Sequence, residues 1–448
     1  MKLLIFSWYF PPVNSIGAVR LGKLAKYLFE RGHDIAVVAG KDWGLAETLP
    51  LGFPLERVAY ARWFDVNAAP KIAQRMRGAL SGSRKSDRSG NSEPASPSLQ
   101  ATTDARPSLA NRLARQYVLL SNLPDNRIGW LPGTLREAGK LCRDWQPDLV
   151  FASGPPFTAL LAARIFATRR RIPWIAELRD RWADDPYEEL PAWRAALDQV
   201  LERRVLAHAA GLVTVTEPWA EFYRRKYTAP VETVYNGYDP ADFPFDPLGP
   251  ANVASPYLRI VYTGLIYPGR RDPTPLFEAL RSLGEKRGRF RVTFYGTDPE
   301  HVLPLAERKG VRDVVEVLPG VPYREALALQ WNADVLLLMQ WNDPREQGNC
   351  PGKFFEYIAS LRPIIGLGLE NGVPATIIRE RSAGIFSNDP PVIAAQLLAW
   401  LQEKESHGAV KRLPARTREG LTRELQFAKL EAFLLRIHEV ASQAAGRP

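Results

Sequence analysis

Short apolar runs alternate with amphipathic helical patterns along most of the chain. The first forty residues contain an apolar run over 2–7, a loop, an amphipathic pattern over about 20–31 and a second apolar run over 35–39. Short apolar runs between turn residues predict buried strands, and the apolar spacing between them predicts a helix. Strands joined by a crossover of helix length pair in parallel. The chain therefore begins with a predicted βαβ unit.

The same alternation returns twice after residue 147. One series predicts strands over 148–152, 173–178, 211–215 and 231–235, and a second series predicts strands over 258–262, 292–295, 314–318, 334–339 and 363–367. Helical patterns separate these runs, which is typical of a doubly wound parallel sheet. The predicted fold class is α/β, with two Rossmann-like domains facing an interdomain cleft. Their predicted bounds are 1–240 and 258–420, with a proline-rich linker over 241–257 and a helix over 421–448 that packs back on the rest.

Composition narrows the class of protein. The chain has 448 residues, of which 46% are hydrophobic and 24% charged, so we expect packed domains rather than a disordered chain. The two cysteines lie far apart in sequence and give no support to a disulfide framework or a zinc site. No segment approaches the ~18 apolar residues of a membrane span. These features predict a cytoplasmic protein.

The net charge of +10 is concentrated in one stretch. Nine basic and three acidic residues lie between Lys71 and Arg115, around a Ser/Gly/Pro-rich insert at about 78–110. Such a tract is typical of a disordered, solvated loop. Helical patterns near 71–80 and 111–120 also place basic beside apolar residues, which suits a peripheral contact with an anionic membrane surface. Two ordinary surface helices joined by a disordered loop are the alternative interpretation. Aromatic residues are not interleaved with the basic ones, so a nucleic-acid partner is not expected.

Loops after predicted strands carry the candidate chemistry. Gly17 follows the first strand, and Gly264 and Arg270 follow the first strand of the second series. A glycine at such a place allows the backbone to approach a ligand phosphate, and an arginine there faces the predicted cleft. An ordinary turn glycine and a solvated arginine are the alternative interpretations.

A third loop ends in Pro351-Gly352-Lys353 at the predicted start of a helix. The free N–H groups and the dipole of a helix start favour an anion, and Lys353 adds a full positive charge. Glu356, one turn further along, can face the same ligand. Proline at a helix start is also common for structural reasons alone.

Several stretches, in their order and spacing, resemble a known family. The chain resembles the retaining, nucleotide-sugar-dependent glycosyltransferases of family four, which have the GT-B fold, over nearly its whole length except the insert. The resembling stretches are FSWYFPPVNSIGAVRLGKLAKYLFERGHDIAVV, ELRDRW, VYNGYD, YTGLIYPGRRDP and PGKFFEYIASLRPIIG. The resemblance implies that Arg270 and Lys353 bind the donor diphosphate. Glu356 matches the second glutamate of the family's E-x7-E motif, which typically binds ribose hydroxyls.

The chain departs from the family pattern at three places. Gly348 stands where the first glutamate of E-x7-E is expected, and Leu265 stands where many members have an arginine. Glu346 and Asn349 are the candidates to replace that glutamate. No histidine matches the family's first-domain histidine, and Asp180 is the candidate in the corresponding loop. The alternative role of Asp180 is a helix or turn cap.

The resemblance implies a reaction and its components. The expected enzyme transfers a sugar from a nucleoside diphosphate sugar to a glycan or lipid-linked acceptor with retention, in cell-surface polysaccharide or glycoconjugate synthesis. Because the chain has no D-x-D sequence, Arg270 and Lys353 are expected to replace a metal ion, with no further cofactor. The expected catalytic residues are Asp180, Arg270 and Lys353, and the expected donor-binding residues are Gly17, Gly264, Arg270, Gly352, Lys353 and Glu356. A nicotinamide-dependent oxidoreductase is disfavoured because the first loop is not G-x-G-x-x-G. A non-catalytic nucleotide-sugar-binding or membrane-associated scaffold stays open as the alternative.

Overall fold

A computed structural model of the protein describes residues 1–41, 44–68, 109–243 and 255–445. Nearly all of the predicted insert, the helical pattern near 71–80 and most of the predicted linker lie outside these residues. The chain divides into two compact units. The first contains Met1–Val215, Trp219–Val234 and the end of the chain from Phe427, and the second contains Thr216–Pro218 and Tyr235–Gln426.

A seven-stranded parallel sheet forms the centre of the first unit, in the order β3-β2-β1-β4-β5-β6-β7. Its strands are β1 Lys2–Ser7, β2 Asp34–Gly40, β3 Arg57–Ala61, β4 Leu149–Gly154, β5 Trp174–Leu178, β6 Gly211–Thr214 and β7 Val231–Thr233. The helices are α1 Ile16–Glu30, α2 Leu109–Ser121, α3 Leu131–Leu141, α4 Thr158–Arg170, α5 Ala192–Leu206 and α6 Glu217–Lys226. The strand order reverses between β1 and β4, and ligands of such sheets bind at that point, outside the carboxyl ends of the strands.

Both faces of this sheet are covered. Successive residues of β1 alternate between two hydrophobic clusters, with Leu4 and Phe6 in one and Leu3 and Ile5 in the other. A central strand of a parallel sheet is apolar on both faces for this reason. The last helix, α13 Arg423–Ala445, contributes Phe427, Leu430, Phe433, Leu434 and Ile437 to the second of these clusters.

Helix α1 begins four residues before the predicted start. The side chain of Ser15 accepts a hydrogen bond from the backbone N–H of Ala18 at 3.2 Å, so Ser15 caps the helix and Ile16 is its first residue. The consequence is that Gly17 and Arg20 both lie on the first turns of α1, directly after the loop that follows β1.

The second unit has a six-stranded parallel sheet in the order β10-β9-β8-β11-β12-β13. Its strands are β8 Leu258–Thr263, β9 Phe290–Tyr295, β10 Val315–Leu318, β11 Val335–Met339, β12 Ile364–Leu367 and β13 Gly384–Phe386. Its helices are α7 Thr274–Ser282, α8 Pro299–Arg308, α9 Tyr323–Asn332, α10 Gly352–Ala359, α11 Val373–Glu380 and α12 Pro390–His407. The order reverses between β8 and β11, so the loops after these two strands flank the expected ligand position.

The predicted α/β class with two parallel sheets is confirmed, since both sheets are parallel and carry helices. Each predicted strand corresponds to an observed one with ends shifted by at most two residues. The two edge strands β3 and β13 were not predicted, and their residues are mostly half-buried. Among the described residues, no helix is both long enough and apolar enough to span a membrane.

Candidate functional site

The first candidate site lies in the second unit, at the carboxyl ends of β8 and β11. The loop after β8 begins at Gly264 and contains Arg270 and Arg271, and the loop after β11 leads into α10. Helix α10 begins at Gly352, with Pro351 as its N-cap residue. Its first turn therefore presents free N–H groups at the place where the strand order reverses.

Lys353 reaches from the first turn of α10 to the end of β8. Its ammonium Nζ donates to the carbonyl oxygen of Thr263 at 2.7 Å and to the hydroxyl of Tyr262 at 3.2 Å. Gly264 makes room for it, because a Cβ on Gly264 would lie 2.6 Å from Nζ. Gly264 also has φ +116, which disfavours any other residue. Burial lowers the pKa of Lys353, and the positive charge of Arg271 acts in the same direction.

Two guanidinium groups lie against the indole of Trp341, in the loop after β11. The Arg270 guanidinium lies 5.0 Å from the ring centroid of Trp341, and the Arg345 guanidinium lies 4.3 Å from it. Arg345 is also held by Asp343 through two hydrogen bonds of 2.9 Å. Trp341 thus joins the loop after β8 to the loop after β11 through cation–π contacts.

Glu356 lies one turn after Lys353 on α10. The amide of Gln330 donates to Glu356 Oε2 at 3.2 Å and to Thr263 Oγ1 at 3.0 Å. Burial raises the pKa of Glu356, while the hydrogen bond from Gln330 and the charges of Arg423 and Lys353 act against this rise. A carboxylate held in this way can accept hydrogen bonds from ligand hydroxyls.

Gly348 cannot easily be a glutamate in this backbone. Its φ is +92, a conformation that favours glycine, and its carbonyl accepts a hydrogen bond from Thr216 Oγ1 at 2.6 Å. The two candidate substitutes contact each other, since Asn349 Nδ2 donates to Glu346 Oε1 at 2.8 Å. Glu346 is only 3% exposed. Of the two, Asn349 is the less buried.

The second candidate site is a cavity of about 370 Å³ in the first unit, which Gly17 and Asp180 both line. A Cβ on Gly17 would lie 2.9 Å from Arg179 Nη1, so the glycine gives this arginine its space. Arg179 Nη2 donates to the carbonyl of Pro155 at 2.6 Å, which connects the loops after β4 and β5. The remaining lining includes the rings of Tyr9, Phe157 and Trp182, and the last two stack at 5.0 Å with an interplanar angle of 2°.

Several carboxyl groups line this cavity. Burial raises the pKa of Asp198 to about 6, although Arg194 pairs with it at 3.0 Å. Burial also raises the pKa of Glu188, and the charges of Asp185 and Asp198 add to the rise. Asp125 is fixed by the start of α4, because Thr158 donates to it through both its backbone N–H and its hydroxyl at 2.8 Å.

A buried ion pair supports the loop that carries Asp180. Arg20 Nη2 donates to Glu177 Oε1 at 2.7 Å, and the two side chains are 3% and 0% exposed. The hydroxyl of Ser153 donates to the other carboxylate oxygen at 2.5 Å, and Arg20 Nη2 also reaches the carbonyl of Val234 at 3.2 Å. Burial raises the pKa of Glu177, but Arg20 and Ser153 outweigh it and hold the pKa below its usual value.

The structure thus divides the predicted residues between two places. It brings Gly264, Gly352, Lys353 and Glu356 together, places Arg270 on the loop after β8 against Trp341, and places Gly17 and Asp180 in the cavity of the first unit. Tyr262, Arg271, Gln330 and Trp341 were not among the predicted site residues. Only Arg271 had a sequence signal, its position next to Arg270. In the parts of the chain that the structure describes, no group of three His, Cys, Asp or Glu residues is placed to hold a metal ion.

Part of the chain is similar to a known protein family. Residues 17–238 match the model of the glycosyl transferase 4-like domain. The match covers 222 of the 448 residues, so this stretch is similar to that domain. The match includes both residues predicted for the first unit, Gly17 and Asp180, and ends where the chain enters the second unit. None of the curated proteins compared matches the chain.

Solved structures resemble the chain over nearly its whole length, beyond the stretch that is similar to the glycosyl transferase 4-like domain. Sucrose-phosphate synthase from Thermosynechococcus elongatus has 14% identity and a TM-score of 0.56, and the match covers 99% of this chain and 98% of that one. HepE from Anabaena, in complex with UDP-glucose, has 13% identity, a TM-score of 0.52 and 99% coverage of both chains. A variant of TarM from S. aureus, in complex with fondaparinux, alpha-GlcNAc-glycerol and UDP, has 10% identity, a TM-score of 0.58 and coverage of 98% and 99%. These likenesses show that the protein has the GT-B fold.

Proposed function

We propose that the protein is a retaining glycosyltransferase, which transfers a sugar from a nucleoside diphosphate sugar to a glycan or lipid-linked acceptor. The observation that carries this proposal is the set of cations at the carboxyl end of β8. Lys353 at a helix start and Arg270 and Arg271 on the facing loop lie at the point of strand-order reversal. The similarity to the glycosyl transferase 4-like domain and the nucleotides bound by HepE and TarM support the same conclusion.

The cations fit the charge that develops in glycosyl transfer. As the bond between the anomeric carbon and the diphosphate breaks, negative charge grows on the leaving diphosphate. Fixed positive groups and helix N–H groups that face this charge lower the barrier. Lys353 and Arg270 are assigned to this task, with the backbone at Gly264 and Gly352 close to the phosphates. Glu356 is assigned to the ribose hydroxyls of the nucleotide.

Retention follows if the acceptor attacks the face from which the diphosphate leaves. The acceptor hydroxyl oxygen bonds to the anomeric carbon, and its proton passes to an oxygen of the departing phosphate. The bond between the anomeric carbon and the diphosphate oxygen breaks. No protein nucleophile is needed for this step. Asp180 is assigned to orienting the acceptor, because it lines the cavity of the first unit beside Gly17.

The assay is product formation from a panel of nucleoside diphosphate sugars with lipid-linked and free glycan acceptors. Release of the nucleoside diphosphate measures the rate, and NMR of the product gives its anomeric configuration. Lys353→Ala should lose activity, whereas Lys286→Ala, a lysine in the turn before β9, should not. An inverted product would contradict the retaining mechanism and leave the transferase assignment intact.

A non-catalytic nucleotide-sugar-binding scaffold is the second candidate. It is favoured by Gly348, which occupies the position of the first glutamate of E-x7-E in a backbone that disfavours a side chain. The same panel separates the two. Binding of a nucleotide sugar without hydrolysis or transfer, with every acceptor class tried, would favour the scaffold.

We also propose that helix α2 places the protein at an anionic membrane surface on the cytoplasmic side. Leu113 and Leu120 on this helix are 62% and 56% exposed, and Arg112 and Arg115 on the same helix are also exposed. Apolar and basic residues together suit the interface of an anionic bilayer. Such a position would give access to lipid-linked acceptors in cell-surface glycan synthesis. Co-sedimentation with anionic but not neutral vesicles, weakened by Leu113→Ser with Leu120→Ser, is the expected result.

A further inference from the structure

The hydroxyl of Tyr262 lies between two cations of the candidate donor site. Tyr262 is the penultimate residue of β8, and its fully buried ring packs 5.8 Å from that of Phe294. Its hydroxyl donates to the carbonyl of Leu265 at 2.7 Å. It also accepts hydrogen bonds from Lys353 Nζ at 3.2 Å and from Arg271 Nη1 at 3.5 Å.

Lys353 and Arg271 each make further contacts in addition to the one with the Tyr262 hydroxyl. Lys353 Nζ donates to the Thr263 carbonyl and lies 4.3 Å from the centroid of the Tyr262 ring. Two of its three N–H donors are thus used among the described residues, which leaves one for a ligand. Arg271 Nη1 donates to the Leu265 carbonyl at 2.9 Å, and its guanidinium lies 4.4 Å from the Tyr267 ring centroid.

Two like charges held this close repel each other unless neutral acceptors or an anion lie between them. We propose that the Tyr262 hydroxyl positions Lys353 and Arg271 as a pair of cations for the donor diphosphate, which makes Arg271 a phosphate-binding residue in addition to Arg270. This inference rests on the proposed function, since its ligand is the donor. Tyr262 is a positioning residue because it acts through the two cations.

The pKa shifts of Tyr262 and Lys353 support this arrangement. Burial raises the pKa of Tyr262, but the charges of Lys353 and Arg271 outweigh it and bring the pKa below its usual value. Burial and Arg271 lower the pKa of Lys353, whereas Tyr262 and Glu356 raise it. A bound diphosphate favours the charged form of Lys353, so affinity should fall as pH rises through the pKa of this lysine. Loss of the Tyr262 hydroxyl should move that fall to lower pH.

Tyr262→Phe tests the proposal because it removes only the hydroxyl and keeps the buried ring. The matched control is Tyr295→Phe, at the end of the neighbouring strand β9. Calorimetric titration of the full chain with UDP, GDP and ADP, and with the corresponding monophosphates, measures binding. Thermal unfolding of each variant verifies that the fold is intact.

We expect Tyr262→Phe to weaken binding of the preferred diphosphate by about 3- to 10-fold, with a smaller loss for the monophosphate. Arg271→Gln should weaken the diphosphate by at least about 10-fold. The alkaline fall in affinity should move to lower pH in Tyr262→Phe and disappear in Lys353→Arg, whose guanidinium does not titrate. Unchanged affinity and pH profile in Tyr262→Phe would overturn this inference alone. Failure of the wild-type protein to bind any nucleoside diphosphate would overturn the proposed function as well.

Discussion

The buried pair of Arg20 and Glu177 should be one of the most sensitive points of the first unit. Replacing Arg20 by Met keeps the length of the side chain but leaves the Glu177 carboxylate, which is 0% exposed, without its cation. Breaking a buried pair from one side typically costs about 3–5 kcal/mol. The double variant Arg20→Met with Glu177→Gln should recover about 2 kcal/mol of this, because it no longer buries an unpaired charge.

The loss of stability in Arg20→Met should depend on pH, in a direction set by the pKa of Glu177. In the wild type, the pKa of Glu177 is lowered on folding, so its stabilising contribution is present above the unfolded pKa of about 4.3 and is lost as pH falls below it. In Arg20→Met, burial without the arginine raises the pKa of Glu177, so protonation stabilises the variant as pH falls. The difference in free energy of unfolding between the wild type and Arg20→Met should therefore decrease as pH falls from 7 to 4.

Hydrogen exchange followed by mass spectrometry, in increasing urea, is the suitable assay. Peptides from β4 and β5 report on the first unit separately from the second. Arg57→Met is the control, because the pair of Arg57 with Asp34 is about 40% exposed and should contribute less than about 1 kcal/mol. A loss below 1 kcal/mol for Arg20→Met, or a difference that increases in acid, would refute the reasoning.

Four further changes have expected outcomes. Lys353→Ala removes a charge-assisted contact, so it should weaken nucleoside diphosphate binding about 10- to 100-fold in a titration. The control Lys286→Ala should leave this binding unchanged. Gly264→Ala should weaken the same binding, since the added Cβ would lie 2.6 Å from Lys353 Nζ; wild-type affinity would contradict the assigned lysine position. Asp180→Asn should lower the transfer rate and leave donor affinity unchanged, and a loss of donor affinity instead would place Asp180 elsewhere. In the proposed mechanism Lys353 and Arg270 cover the diphosphate in place of a metal ion, so a chelator should leave the rate intact, and abolition with recovery on adding Mn²⁺ or Mg²⁺ would disprove this.

The fold was largely predictable because buried strands in parallel sheets are apolar on both faces and stand out as runs. Strand β1, for example, was predicted to the residue. Element ends depended on capping contacts that the pattern does not contain. Helix α1 was predicted to begin at about Arg20, whereas the Ser15 cap starts it at Ile16.

The candidate donor site was predictable where proline and glycine mark the start of a helix. Pro351 and Gly352 indicate a helix start, so Lys353 could be placed in the first turn of a helix from sequence alone. Tyr262 could not be placed there, because its position in β8 indicates only a core residue. Its ring is buried as expected, and only the terminal hydroxyl reaches the cations. The contact of Trp341 with Arg270 joins two loops far apart in sequence and leaves no pattern in either.

The last helix determines when the first unit can be completed during synthesis. Phe427, Leu430 and Phe433 belong to the hydrophobic cluster that covers one face of the first sheet, and the ring of Phe433 lies where a Cβ on Gly211 would come within 2.7 Å. The ribosome makes these residues only after the whole of the second unit. A nascent chain with all seven strands of the first sheet therefore still exposes part of an apolar face, and the second unit can finish folding before the first.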